Sequence, residues 1–272
     1  MNARPLRAMR LSPSSAQAGE GGGEGVSSAQ TLIPTLSHFA GEGATAAVAL
    51  LLLVRLRSST WGLSRLVLGA SALGEVPGLR FARVLGSGRG GGFGLAPGFD
   101  HQGLMCFFDD EDSARSFARD APPMRAYRDH ARESLLALLR ATSCRGTWSG
   151  ASLAVTATPQ ADAPMAALTR ASIRLRHAAR FWQHAPATHD GIARAEGCRL
   201  AVGLGEAPLL RQATFSLWDN ARAMEAYARS GAHLAAIQGA HRQGWFSESM
   251  FVRFAPISIE GEWHGRTFGP PP

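Results

Sequence analysis

His233 stands in the segment Ser230-Gly-Ala-His233-Leu-Ala-Ala-Ile237. An imidazole near the start of a helix there could serve a metal. Ser230 is a good N-cap, and a helix N-terminus disfavours imidazolium, so the ring stays neutral with a lone pair to donate. Ala236, Ile237 and Ala240 share its helical face. The residues alone leave two readings open: a metal ligand, or a half-buried histidine hydrogen-bonded to backbone. His241, about 80° further around a helix, is the runner-up ligand or a solvent-facing residue. His38, His101, His130, His177, His184, His189 and His264 show neither H-x-x-x-H nor H-E-x-x-H spacing. Zinc and non-haem iron sites therefore find no support.

Other chemistries fare less well. Gly86-Ser-Gly88-Arg-Gly90-Gly91 contains G-x-G-x-x-G, but Gly92-Phe-Gly94-Leu-Ala-Pro97-Gly98 follows. A dinucleotide fingerprint needs a helix at that point, so the stretch reads as a glycine loop between two strands. No G-x-S-x-G elbow supports a serine hydrolase. Cys106, Cys144 and Cys198 stand apart without a C-x-x-C, which suits reduced thiols in a reducing compartment. Trp148, Trp182, Trp218, Trp245 and Trp263 suit a core, and equally the walls of an apolar ligand site.

An internal repeat sets the frame that must position these residues. Phe108-Asp-Asp110 leads to Phe117-Ala-Arg-Asp120, and Trp218-Asp-Asn220 leads to Tyr227-Ala-Arg-Ser230, 110 positions on. Gly146-Thr-Trp-Ser-Gly150 recurs as Gly261-Glu-Trp-His-Gly265, 115 positions on. Two copies of this length mean a duplicated unit. In the first, strands are expected at Ala46–Arg57, Leu79–Leu85, Gly103–Phe108 and Leu135–Thr142, with helices at Thr60–Leu73 and Asp112–Glu133. In the second, strands are expected at Ala167–Arg176, Leu200–Gly205, Gln212–Trp218 and Met250–Phe254, with helices at Ala179–Ala195 and Ala221–Gln243. The alternation puts Ala171, Ile173 and Leu175 on one face of the strand and Arg170, Ser172, Arg174 and Arg176 on the other. The long helices should break at the aligned N-caps Asp120 and Ser230, with Pro122 and Pro123 in a first turn and Gly244 as a stop. His233 aligns with Pro123, so the fold itself does not require histidine there.

Strand, helix, strand, strand, helix, strand is the ferredoxin-like βαββαβ order. The fold class is α+β: two such units in one chain, their sheets face to face in a pseudo-symmetric, dimeric-type α/β barrel. The divisions are a disordered segment over 1–30, a first unit over 31–150, an Ala/Pro-rich linker over 151–165, a second unit over 166–265 and a tail over 266–272. Order is expected to begin near Thr31–Phe39.

Composition narrows the function classes. The 272 residues are 45% hydrophobic and 18% charged, which is globular. The net charge is +7, yet every fixed positive charge is arginine and the arginines are scattered, so nucleic-acid binding is not expected. Arg4, Arg7 and Arg10 precede no apolar run, so no secretory signal is read. Ala46–Val54 is too short to span a bilayer, which needs about 20 residues.

Taken in order, several stretches resemble the spheroidene monooxygenase family of carotenoid biosynthesis. They are Val84-Leu-Gly-Ser-Gly88 with Phe93, Gly146-Thr-Trp-Ser-Gly150, Ala167-Leu-Thr-Arg-Ala-Ser-Ile-Arg174, Phe181-Trp182, Gly203-Leu-Gly-Glu-Ala-Pro208, Ala213-Thr-Phe-Ser-Leu-Trp218 and Gly244-Trp-Phe246. The resemblance runs from about Leu50 to Gly265 and is denser in the second half. Phe107-Phe108 departs from it, standing where the family has a Trp-Pro turn. The resemblance implies a haem-dependent oxygenase that adds oxygen near one end of an acyclic carotenoid, giving hydroxy and then keto products. It implies a reduced ferredoxin-type electron donor and a cytoplasmic enzyme, peripheral to the membrane where its substrate lies. By family position His233 becomes the candidate axial ligand of haem iron. Arg170 and Arg174, four residues apart on one strand face, are expected either to border the ligand cavity and contact haem propionates or to face solvent as a pair. Two competitors share the frame: a haem-binding or haem-degrading barrel, and a ligand-binding barrel without catalysis.

Overall fold

The computed structural model describes residues 45–92, 97–207, 209–229 and 243–269, with the backbone alone at 97, 184–190 and 193. The expected disorder over 1–30 and the onset of order at Thr31–Phe39 lie outside these residues. In chain order the elements are β1 (Thr45–Ala46), β2 (Val48–Leu56), α1 (Ser59–Leu68), β3 (Leu79–Gly88), β4 (Pro97–Phe108), α2 (Glu111–Asp120), α3 (Pro122–His130) and β5 (Ala131–Gly146). Then come β6 (Ser152–Leu153), β7 (Met165–Ile173), α4 (Ala178–Ala193), β8 (Cys198–Ala207), β9 (Arg211–Trp218), α5 (Ala221–Ala228), β10 (Phe246–Trp263) and β11 (Arg266–Phe268).

Both halves follow the expected order of elements, and each forms an antiparallel four-stranded sheet. The spatial orders are β5-β2-β4-β3 and β10-β7-β9-β8. The two sheets face each other but are not separate. β10 pairs with β7 on one side and with β5 on the other, and β3 meets β8 through Gly86–Gly205 and Ser87–Leu204. Eight strands therefore close into one barrel. The glycines read as a loop begin inside β3: Gly86 and Ser87 form the short seam, where Ser87 Oγ donates to the Gly203 carbonyl at 2.6 Å.

Alternation along the strands sends one set of side chains inward. Leu51, Leu53, Phe81, Phe107, Leu139, Leu168, Phe215 and Phe254 are fully or almost fully buried there, with Trp148 and Trp263 among them. Helices α1, α2 and α3 cover the outer face of the first sheet over Leu50, Leu52, Val54, Leu104 and Phe108. Asp110 caps α2, its side chain accepting from the Ser113 N–H, and Asn220 caps α5 in the same way through Ala223. Asp120 does not cap α3; it ends α2, and Ala121 takes the cap position ahead of Pro122.

The long seam explains the repeated G-x-W-x-G. Ser149 and Gly150 both have positive φ, as do His264 and Gly265, the signature of a two-residue hairpin turn. Each turn swings its tryptophan into the barrel, at opposite ends of the β5–β10 pairing. Gly146 and Gly261, also at positive φ, lie against the other strand of that seam. A Cβ there would collide with the Ser249 or the Ser134 carbonyl oxygen. Part of the expected linker is packed in as well: Ala151 and Leu153 are buried, and β6 pairs with β1. In the expected tail, β11 pairs with the end of β10.

Gly146→Ala and Gly261→Ala should each lose about 3 kcal/mol or more, combining a left-handed backbone with overpacking. Gly150→Ala, with open space around its Cβ, should lose only about 1–2 kcal/mol. Urea denaturation midpoints of the three variants test this ordering.

Candidate active site

The two sheets differ most on their outer faces. In the first, one row across the strands reads Leu136, Leu52, Leu104 and Val84. One outward row of the second reads Arg253, Ala167, Ser216 and Ala201. The next row of the second sheet is Phe251, Thr169, Thr214 and Gly203, and the one after is Ser249, Ala171, Gln212 and Gly205. Where the first sheet carries Leu52, Leu104 and Val84, the rows on β7, β9 and β8 carry Ala, Ser, Thr and Gly, with Gln212 as the longest side chain and Phe251 at the β10 edge. Among the described residues, apolar packing outside the second sheet centres on Met165, Ile192, Trp218 and Met224.

Aromatic rings gather where this face meets the β7–α4 connection. Phe181 lies 5.5 Å from Trp182 and 6.2 Å from Phe246, both nearly edge-on. Trp245 stacks at 6.5 Å from His177. Trp182 Nε1 donates to the Leu209 carbonyl at 2.9 Å. Together these rings form an aromatic corner beside the β7–α4 connection.

Arg170 and Arg174 do not share a surface. β7 ends at Ile173, so Arg174 lies beyond it, exposed, with Nε donating to the Phe246 carbonyl at 3.2 Å. Arg170 points into the barrel, away from the small-residue face, and is only 2% exposed. Its guanidinium reaches Glu248 Oε2 at 2.5 Å and Glu206 Oε1 at 3.2 Å and lies over the Trp148 ring. Trp148 Nε1 also donates to Glu206, at 2.6 Å, while Arg83 and Arg211 flank that carboxylate. Burial holds the Arg83 pKa below its ordinary value, with the Glu206 charge opposing. Burial would raise the Glu248 pKa. The Arg170 charge and hydrogen bonds from Thr147, Arg170 and the Gly150 N–H together outweigh it, so the carboxyl lies below its usual range.

The same device recurs at the other end of the barrel in looser form. Arg55 and Glu133, each 115 positions before Arg170 and Glu248, are 3.6 Å apart, and Glu133 accepts from the His264 N–H. The spacing of Arg55, Arg170, Glu133 and Glu248 was a signal available in the sequence, and it marks barrel closure rather than a ligand. His101, His264 and Trp263 pack around this second cluster. Among the described residues no group of three or more His, Cys, Asp or Glu could hold a metal ion. His233, His241, Ser230 and the expected continuation of α5 to Gln243 lie outside the described residues.

The fold is a duplicated α+β barrel whose two halves differ in the side chains on their outer faces. No protein-family model matches the chain, but curated relatives do. It is 52% identical over 228 residues to spheroidene monooxygenase of Rubrivivax gelatinosus, covering 84% of this chain and 88% of that protein. It is 35% identical to the enzyme of the same name from Rhodobacter capsulatus, covering 77% and 88%. The chain belongs to the spheroidene monooxygenase family. Among solved structures, an aldoxime dehydratase (12% identity, 80% of this chain, 83% of that chain, TM-score 0.52) shares the fold. So does an aldoxime dehydratase in complex with butyraldoxime (10% identity, 80% and 81%, TM-score 0.51).

Arg170→Leu strands Glu248 without its cation and should destabilise the fold by about 3–5 kcal/mol. Arg55→Leu, at the more open counterpart, should stay within about 1 kcal/mol. Glu248 ionises more readily folded than unfolded, so the unfolded chain binds more protons in acid. Its contribution is complete above the ordinary carboxylate value, about 4.3, and is lost as pH falls through the lower folded value. Glu248→Gln should therefore flatten the acid limb of a stability–pH curve.

Proposed function

We propose that the chain is a carotenoid monooxygenase, inserting oxygen near one end of an acyclic carotenoid to give hydroxy and then keto products. The observation carrying this reading is the 52% identity shared along most of both chains with a spheroidene monooxygenase. The aromatic corner of Phe181, Trp182, Trp245 and Phe246 agrees with it, because a polyene offers hydrocarbon and little to hydrogen-bond.

Oxygen insertion into a hydrocarbon needs a redox centre that protein side chains do not provide. Haem fits the small-residue face. Its macrocycle is flat and apolar, and the rows Ala167–Ser216–Ala201 and Thr169–Thr214–Gly203 have the low relief such a ring requires. Bound haem would supply dioxygen activation, with electrons from a reduced ferredoxin-type donor. In this reading His233 would hold the haem iron and Arg174 would contact a propionate, while Arg170 is withdrawn because its guanidinium is held by Glu206 and Glu248. The chain's own work is then to present an apolar floor, to orient the polyene along the aromatic corner and to keep water from the reacting end.

A visible spectrum of the purified protein is the first test, and a Soret band is expected. His233→Ala should abolish or greatly weaken that band while the circular dichroism stays unchanged. A variant with full haem content and the same Soret position would remove His233 and turn attention to His241. A haem-loaded protein that leaves acyclic carotenoids untouched when given electrons and dioxygen would contradict the oxygenase reading itself.

A further inference from the structure

Five described residues on the β7–α4 connection, the start of α4 and the β8–β9 connection are exposed and make no ion pair. Leu175 is 78% exposed and Leu209 is 45% exposed. Leu209 is also one of three non-glycine residues with positive φ among the described residues, at +69°. A branched apolar side chain is held out into water there in a strained backbone conformation, which generally marks function. The Trp182 indole ties the two places together by donating to the Leu209 carbonyl from α4, just after Leu175.

Arg174, Arg176 and Arg180 surround them, all exposed. They donate only to the Phe246 carbonyl, to His177 Nε2 and to Gln243 Oε1. Among the described residues none of the three has a carboxylate partner, so their charges stand together uncompensated, whereas Arg115 and Arg119 are paired with Glu111 and Asp120. Their field is felt locally: burial first, and then the charges of Arg176, Arg180 and Arg174, hold the His177 imidazole below its ordinary pKa.

We infer that this rim docks the protein on an anionic membrane surface, Leu175 and Leu209 entering the acyl boundary while Arg176 and Arg180 meet lipid phosphates. Exposed leucines beside an indole and uncompensated arginines are the composition that binds at a lipid interface. An acidic protein partner would answer the arginines but leave the two leucines unexplained. The use of such docking, delivering a polyene from the bilayer to the sheet face behind the rim, rests on the proposed carotenoid substrate. The docking itself does not, and it is measured without substrate.

The full chain is sedimented with vesicles of phosphatidylcholine alone and of phosphatidylcholine mixed with phosphatidylglycerol. Binding is expected to the mixed vesicles, weaker to the neutral ones, and to fall with added salt. Arg176→Gln with Arg180→Gln should weaken it about tenfold or more, and Leu175→Ser with Leu209→Ser by about as much. Arg115→Gln with Arg119→Gln, the same charge removed from ion-paired sites, should leave it unchanged. No binding to anionic vesicles, or equal losses in the control, overturns the proposal. So does binding that the leucine variants leave intact, and capture of an acidic ferredoxin by a chain that ignores vesicles would reassign the rim to the electron donor.

Discussion

Closing eight strands into a barrel leaves an interior just wide enough for side chains, and here Trp148, Trp263, Phe81, Phe107, Phe215 and Phe254 fill it. Everything about ligand binding depends on that. A molecule as large as a porphyrin or a polyene must lie outside the barrel, between a sheet and its helices. The first sheet is closed to it by the leucines, valine and phenylalanine under α1, α2 and α3. On the second, Ala, Ser, Thr and Gly stand at most of the described outward positions of β7, β9 and β8, which is why the proposed site is placed there.

The duplication thus splits its labour. Features that close the barrel are kept in both copies: the G-x-W-x-G turn, the glycine opposite a carbonyl of the facing strand, and the arginine–glutamate pair beside each turn. Features on the outer faces have diverged. One copy has become a packed support and the other a candidate site. Even the shared ion pair differs in degree: Arg170 is sealed between two carboxylates and a tryptophan, while Arg55 is partly open to solvent.

Much of this was legible from residue order. Offsets of 110 and 115 reveal the duplicated unit, and alternation in Ala167–Ile173 places β7. What alternation alone cannot say is which face of a two-faced strand is inside. Arg170 reads as polar and outward, yet its face is the barrel interior, because Glu206 from β8 and Glu248 from β10 arrive there from distant positions to neutralise it. Arg174 reads as the next residue on that face, but the strand ends one residue earlier, where the chain turns into a short 3-10 segment at Leu175–His177. β10 runs to 18 residues because it serves two sheets at once, a tertiary demand that local pattern does not carry. The small-residue face was present in the sequence, but visible only once the two copies were laid row against row.

The central claim is that the outer face of the second sheet holds the oxygen-activating site. Thr169→Leu with Thr214→Leu tests it most directly, restoring on that face the bulk that the first sheet carries without touching the barrel interior or any histidine. The double variant should fold with a melting temperature near that of the parent and lose its haem and its carotenoid turnover together. A folded variant that keeps full haem content and full turnover would contradict the account and move the site elsewhere on the chain.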